Sequence, residues 1–94
     1  MKKPITLASL QSYVAELKSP KRKNDRKYFL KLIEEVGELA EMINNDARWE
    51  TTRAKDIKNT MEEELADILF YVAALANVYE IDLETSFHKK EKIR

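Results

Sequence analysis

The chain has 94 residues, 44% of them hydrophobic and 36% charged, and its 17 acidic residues balance its 17 Lys and Arg. That length holds one small domain, residues 1–94, and the apolar content excludes a disordered chain. Zero net charge excludes the uniform basic field of a nucleic-acid binder, and the absence of cysteine excludes a disulfide frame or a thiolate metal site.

One Gly and two Pro leave little to interrupt helices. The N-terminus, Met1-Lys2-Lys3-Pro4, is basic, but no long apolar run follows. Neither a secretory signal nor a membrane span is expected, and the expected location is the cytoplasm. Residues 5–18 read as a first helix, with Leu7, Leu10, Val14 and Leu17 at three- and four-residue spacing and Thr6 or Ser9 as its cap. Ser19-Pro20 stops it, because Pro cannot continue the hydrogen-bond ladder. Lys21 to Asn24 is a basic connector, and Asn24 or Asp25 is placed to cap the second helix.

That second helix is expected from Asp25 to Ala47, with Phe29, Leu32, Ile33, Val36, Leu39, Ala40 and Ile43 as its apolar positions. Gly37 sits in its middle, where it costs roughly 1 kcal/mol against Ala. Close approach of another helix or of a ligand is the simplest reason for it. Trp49 to Lys58 reads as the longest irregular stretch, with Trp49 as a hydrophobic anchor. Thr60-Met61-Glu62-Glu63 then has the form of a capping box. The third helix, about Met61 to Tyr79, is almost wholly apolar after Asp67 and must be the centre of a bundle or a subunit interface. Asp82 caps a short last helix, Leu83 to about Lys92. The expected fold class is all-α: a four-helix bundle, completed by oligomerisation because so small a chain buries little on its own.

Two acidic blocks stand out. Glu35 and Glu38 are three apart in the second helix, and Glu64 and Asp67 are three apart in the third. Residues at that spacing share a helix face. Two such helices packed together offer four carboxylates to one point, and bare carboxylates so placed repel. A divalent cation resolves the conflict, and an all-oxygen donor set suits Mg²⁺, or Mn²⁺ in its place. A di-iron carboxylate site would need Glu-x-x-His on two helices, and the sole histidine, His88, is far from both blocks. Basic residues crowd the approach to the first block, from Lys18 through Lys31, and return at Lys89, Lys90, Lys92 and Arg94. Acid for a metal flanked by base for an anion is what a metal–phosphate substrate needs. No Gly-rich phosphate loop is present, so metal ions would have to replace it. Exposed acids on an ordinary bundle remain the structural alternative.

Glu34-Glu35-Val36-Gly37-Glu38-Leu39-Ala40-Glu41, then Glu63-Glu64-Leu65-Ala66-Asp67-Ile68-Leu69-Phe70-Tyr71, then Ala76-Asn77 and Ile81-Asp82-Leu83-Glu84, closely resemble the MazG-like nucleotide pyrophosphohydrolases of the all-α NTP pyrophosphatase superfamily. The resemblance covers roughly residues 24–90. It implies Mg²⁺-dependent hydrolysis of a nucleoside triphosphate between the α- and β-phosphates, giving the monophosphate and pyrophosphate, in nucleotide-pool house-cleaning. It implies a homo-oligomer, a dimer or a tetramer built as a dimer of dimers; from the charge balance and the lack of a long apolar run, no nucleic-acid or membrane partner is expected. By position, Glu35, Glu38, Glu64 and Asp67 correspond to metal ligands. Glu34, Glu35 and Glu38 correspond to the catalytic acids, with Glu34 as orienter or base for the attacking water, although it points about 100° away from Glu35 on the helix. Arg26, Tyr71 and Lys90 correspond to substrate-binding residues, Lys90 on phosphate. The segment from Trp49 to Lys58 corresponds to the one that shapes the base pocket. Many members continue with an Asn and a basic-aromatic tail where this sequence stops at Arg94, so part of the usual phosphate grip is expected to be missing or rebuilt. Two alternatives stand beside this reading: a non-catalytic helical interaction module, and a pyrophosphohydrolase of a phosphoribosyl-type compound.

Overall fold

The computed structural model describes residues 4–45 and 60–94. The expectations for Trp49 to Lys58, anchor and base pocket alike, lie outside the described residues. Four α-helices are formed: α1 Leu7–Leu17, α2 Asp25–Asn45, α3 Met61–Val78 and α4 Leu83–Glu91, with a 3₁₀ turn at Arg22–Asn24 before α2. The all-α expectation holds, and no strand occurs among the described residues.

The helix ends follow from local hydrogen bonding. Thr6 caps α1: its hydroxyl accepts from the Ser9 N–H at 3.0 Å, and the Ser9 hydroxyl accepts from the Thr6 N–H at 2.9 Å. Thr60 Oγ1 accepts from the Glu63 N–H at 3.2 Å to open α3, and Asp82 Oδ1 does the same for Thr85 at the start of α4. The start of α2 differs from expectation. The 3₁₀ turn runs straight into the helix, and the Asn24 side-chain amide donates to the Ser19 carbonyl. At the other end of α3 the Ile81 N–H donates to the Ala76 carbonyl and the Glu80 N–H to the Asn77 carbonyl. This Schellman closure puts Glu80 in the left-handed region, at φ 55°.

α3 is the central helix, packed by α2 on one flank and α1 on another, while α4 rests on α1. The core joins Val14 of α1, Tyr28 of α2 and Ala73, Ala74 and Val78 of α3, with Leu10, Phe70, Tyr71 and Leu75 packed around them. The Tyr28 hydroxyl donates to the Ser19 carbonyl at 2.7 Å, which pins the Pro20 turn under the core. Gln11 makes the longest-range joint. Its amide donates to Asn77 Oδ1 and to the Ile81 carbonyl, its Oε1 accepts the Leu83 N–H, and Asn77 returns a bond to the Gln11 carbonyl. One side chain thus ties α1 to the end of α3 and the root of α4. The helix α3 is only partly a bundle centre, since Leu65 and Leu69 stay exposed. Among the described residues nothing meets Gly37: a Cβ built there would find no atom within 4 Å, so the close approach expected at this glycine is not made by any of them.

Candidate functional site

The acids meet where the middle of α2 faces the first turns of α3. One carboxylate oxygen from each of Glu35, Glu64 and Asp67 lies within 4.8 Å of the other two. The same limit holds for Glu34, Glu35 and Glu38. Glu35 belongs to both groups and is the hub. It is buried, as is Glu64; Asp67 is half-buried, and Glu34 and Glu38 open to solvent. The site therefore has a dry floor and a wet rim. Helical register along α2 explains the grouping, because Glu38 lies one turn after both Glu34 and Glu35.

The electrostatics express the crowding. Burial pushes the Glu64 carboxyl up to about 8, helped by contact with the Glu35 and Glu38 carboxyls and by their charges. Burial also raises Glu35, with the charges of Glu38 and Asp67 adding to it. Asp67 is raised first by burial and next by the charge of Glu63, and the positive charge of Lys31 pulls it partly back. Glu64 Oε2 is buried with no hydrogen-bond partner. An orphaned buried acceptor of this kind is costly unless something fills it.

Lys31 is the cation that the structure brings to these acids. Its Nζ lies 3.6 Å from Glu34 Oε1. The sequence offered Lys31 only as one of a basic group. Its spacing held a sharper signal, since Lys31 precedes Glu34 by three residues and Glu35 by four, which is one turn on the same face.

The remaining candidates are dispersed. Tyr71 follows Asp67 by one turn on α3, is half-buried, and packs edge-on against Phe70 at 5.3 Å between ring centroids. Arg26 lines an open pocket of about 380 Å³ with Asp25, Phe29, Leu75 and Tyr79. In that pocket the Tyr79 hydroxyl donates to Asp25 Oδ2 at 2.9 Å and the Arg22 guanidinium sits 4.7 Å above the Tyr79 ring. The Tyr79 hydroxyl and the Arg26 backbone N–H hold the Asp25 carboxyl below its ordinary range. Arg26 precedes Glu35 by nine residues, about two and a half turns, so the two point to opposite sides of α2. Within one chain the structure does not bring Arg26 to the acids. Lys90 is exposed on the last turn of α4 and pairs with none of these carboxylates.

The sequence profile of the MazG nucleotide pyrophosphohydrolase domain matches residues 23–94. The chain belongs to this MazG family. Two crystal structures of iMazG from Vibrio DAT 722, one with an N-terminal and one with a C-terminal tag, superpose with a TM-score of 0.81 at 39% identity. Each superposition covers 95% of this chain, with 93% and 97% of the two iMazG chains. The uncharacterized protein YpjD of Bacillus subtilis (strain 168) is 41% identical over 54 residues, 57% of this chain. That stretch is 49% of YpjD, so the match spans about half the length of this relative. The MazG match covers α2, α3 and α4 and with them all five clustered acids, whereas α1 and its Gln11 joint precede it. No described helix is long and apolar enough to cross a membrane.

Proposed function

We propose that this MazG-family chain is a Mg²⁺-dependent nucleoside triphosphate pyrophosphohydrolase, cleaving NTP or dNTP between the α- and β-phosphates. The carrying observation is the junction of Glu35 and Glu38 on α2 with Glu64 and Asp67 on α3 around the unpartnered Glu64 Oε2. Carboxylate oxygens alone are the donor set of a hard divalent cation, and an orphaned, buried carboxylate oxygen fits a role as ligand. Glu35, Glu38, Glu64 and Asp67 would hold Mg²⁺, with Mn²⁺ as a substitute. When bound, the ion neutralises charge building on the phosphates and acidifies water.

The chain's own groups divide the rest of the work. Glu34, exposed beside Glu35 and Glu38, orients the attacking water and accepts its proton at a carboxylate oxygen. Glu35 and Glu38, one turn apart beside it, are the catalytic acids that would hold the ion next to that water. Lys31 offers its ammonium to phosphate oxygens at the rim. Tyr71 packs beside the acids as a wall for the substrate. Arg26 and Lys90 reach the substrate only from another copy in a homo-oligomer, a dimer or a tetramer. The reading includes nucleotide-pool house-cleaning in the cytoplasm.

Pyrophosphate release from a panel of canonical and modified NTPs and dNTPs tests it, run with Mg²⁺, with Mn²⁺ and with EDTA. Metal-dependent release of pyrophosphate and monophosphate, lost in Glu38→Gln, is the expected result. Folded, metal-loaded protein that turns over no nucleotide overturns it. In that event a shift in stability or assembly in Glu38→Gln points to the interaction-module alternative.

A further inference from the structure

Among the described residues, one ion pair reaches the five clustered acids, that of Lys31 with Glu34 at 3.6 Å. The influence of Lys31 extends across the junction to α3. Burial and the charge of Glu63 push the Asp67 carboxyl up, and the Lys31 charge draws it partly back. One ammonium therefore serves acids on both helices, where negative groups crowd together above a dry floor.

Helix stability gives little reason for that placement. Lys31 precedes Glu34 by three residues and Glu35 by four, and a cation set before its acid is the poorer order for a pair on a helix. The pair is also loosely held. The Lys31 and Glu34 side chains are 46% and 55% exposed, and an ion pair so open to water adds little to the fold. What such a pair does have is freedom to exchange. The ammonium is a compact charge on a flexible four-carbon stem, able to leave Glu34 without movement of the backbone. Lys27, one turn earlier on α2, is also exposed, yet it forms no ion pair with a described residue.

Taking the acids as the metal site proposed above, we infer that Lys31 is their built-in counter-ion: its ammonium competes with a divalent cation for the acids and turns from Glu34 to the phosphate rim when that cation binds. Two cations brought to one set of carboxylates repel each other. By linkage, whatever the ammonium takes from the affinity for metal, the metal takes from the hold of the acids on the ammonium. Lys31 is thus a poor phosphate ligand while the acids are bare, because Glu34 and Asp67 engage its charge, and a good one once they are neutralised. Glu34, released from the ammonium, regains Oε1 as a free acceptor.

Titration of the metal-free protein with Mn²⁺, followed by the electron paramagnetic resonance signal of free Mn²⁺, tests this without turnover. Lys31→Met keeps most of the apolar stem and removes the charge. It should bind Mn²⁺ about three- to tenfold more tightly than wild type, the effect of one nearby charge at a solvent-exposed site. Lys31→Arg keeps the charge and should bind Mn²⁺ no more tightly than wild type. Lys27→Met removes the same charge one turn away and should change the affinity by less than about twofold, since water and salt screen it. In Lys31→Met the KM for nucleotide should rise, so that metal and substrate affinity move in opposite directions. Weaker Mn²⁺ binding together with a higher KM overturns the inference, because that is the pattern of a residue that merely supports the site. An equal gain in Lys27→Met also overturns it, by reducing the effect to net charge. Wild-type uptake of Mn²⁺ that Lys31→Met leaves unchanged overturns this inference alone, whereas a wild-type protein that takes up no Mn²⁺ overturns the metal site as well.

Discussion

Metal-free protein should lose stability as pH rises from 6 to 8, and Glu64 is the main reason. Its carboxyl is raised from an ordinary 4.5 to about 8 in the folded chain. Between those values the folded state holds a proton that the unfolded state has released, so raising the pH favours unfolding. The contribution is complete below pH 4.5 and is lost as pH passes through 8. For a single group with these two values, the loss between pH 6 and 8 is about 2 kcal/mol. For a domain of this length each kcal/mol moves Tm by about 4–8 °C, so the drop in Tm is roughly 8–16 °C. The raised Glu35 and Asp67 carboxyls act in the same direction. Mg²⁺ should reverse the trend, because a cation competes with the bound proton and wins as pH rises. Glu64→Gln keeps the shape of the side chain and removes its titration. In EDTA at pH 8 it should melt higher than wild type, and Mg²⁺ should stabilise it less. Thermal melts at fixed protein concentration, with EDTA and with Mg²⁺, measure all of this. A metal-free Tm that is flat or rising from pH 6 to 8, or a Glu64→Gln variant no more stable than wild type at pH 8, refutes the account of the acid floor.

Two further substitutions test the frame around the site. Gln11→Ala removes the acceptor of the Leu83 N–H and the partner of Asn77, and should destabilise by about 1–3 kcal/mol in urea unfolding; a change near zero would mean that water replaces the joint. Glu80→Gly relieves the left-handed backbone at φ 55° and should stabilise by about 0.5–1 kcal/mol in the same assay, whereas a loss would show that the Glu80 side chain contributes contacts of its own.

Features that depend on one helix alone were readable from sequence. The caps at Thr60 and Asp82 and the pairing of Glu35 with Glu38 and of Glu64 with Asp67 follow from register or from chemistry a few residues away. Lys31 belonged to that class too, but its place beside Glu34 is visible only when the turn is drawn backward from the acids. The start of α2 escaped because a 3₁₀ turn leads straight into it, which the cap candidates Asn24 and Asp25 do not signal. Gln11 escaped for a different reason: its partners are 66 to 72 residues away in sequence. No periodicity encodes such a meeting. Arg26 was named by likeness of position alone, and the half-turn between it and Glu35 sets it on the opposite side of α2 from the acids, a relation that register shows and likeness does not.

The Gln11 joint also sets an order of events. During synthesis α1 leaves the ribosome well before the residues that cover it, since Ala73, Ala74 and Asn77 come more than fifty positions later. At about 5–20 residues per second, several seconds pass with the apolar side of α1 uncovered. The native arrangement of α1 cannot precede completion of α3, and α4, which rests on α1, settles only once α1 is in place. Until then the apolar side of α1 adds to the surface through which the growing chain can aggregate.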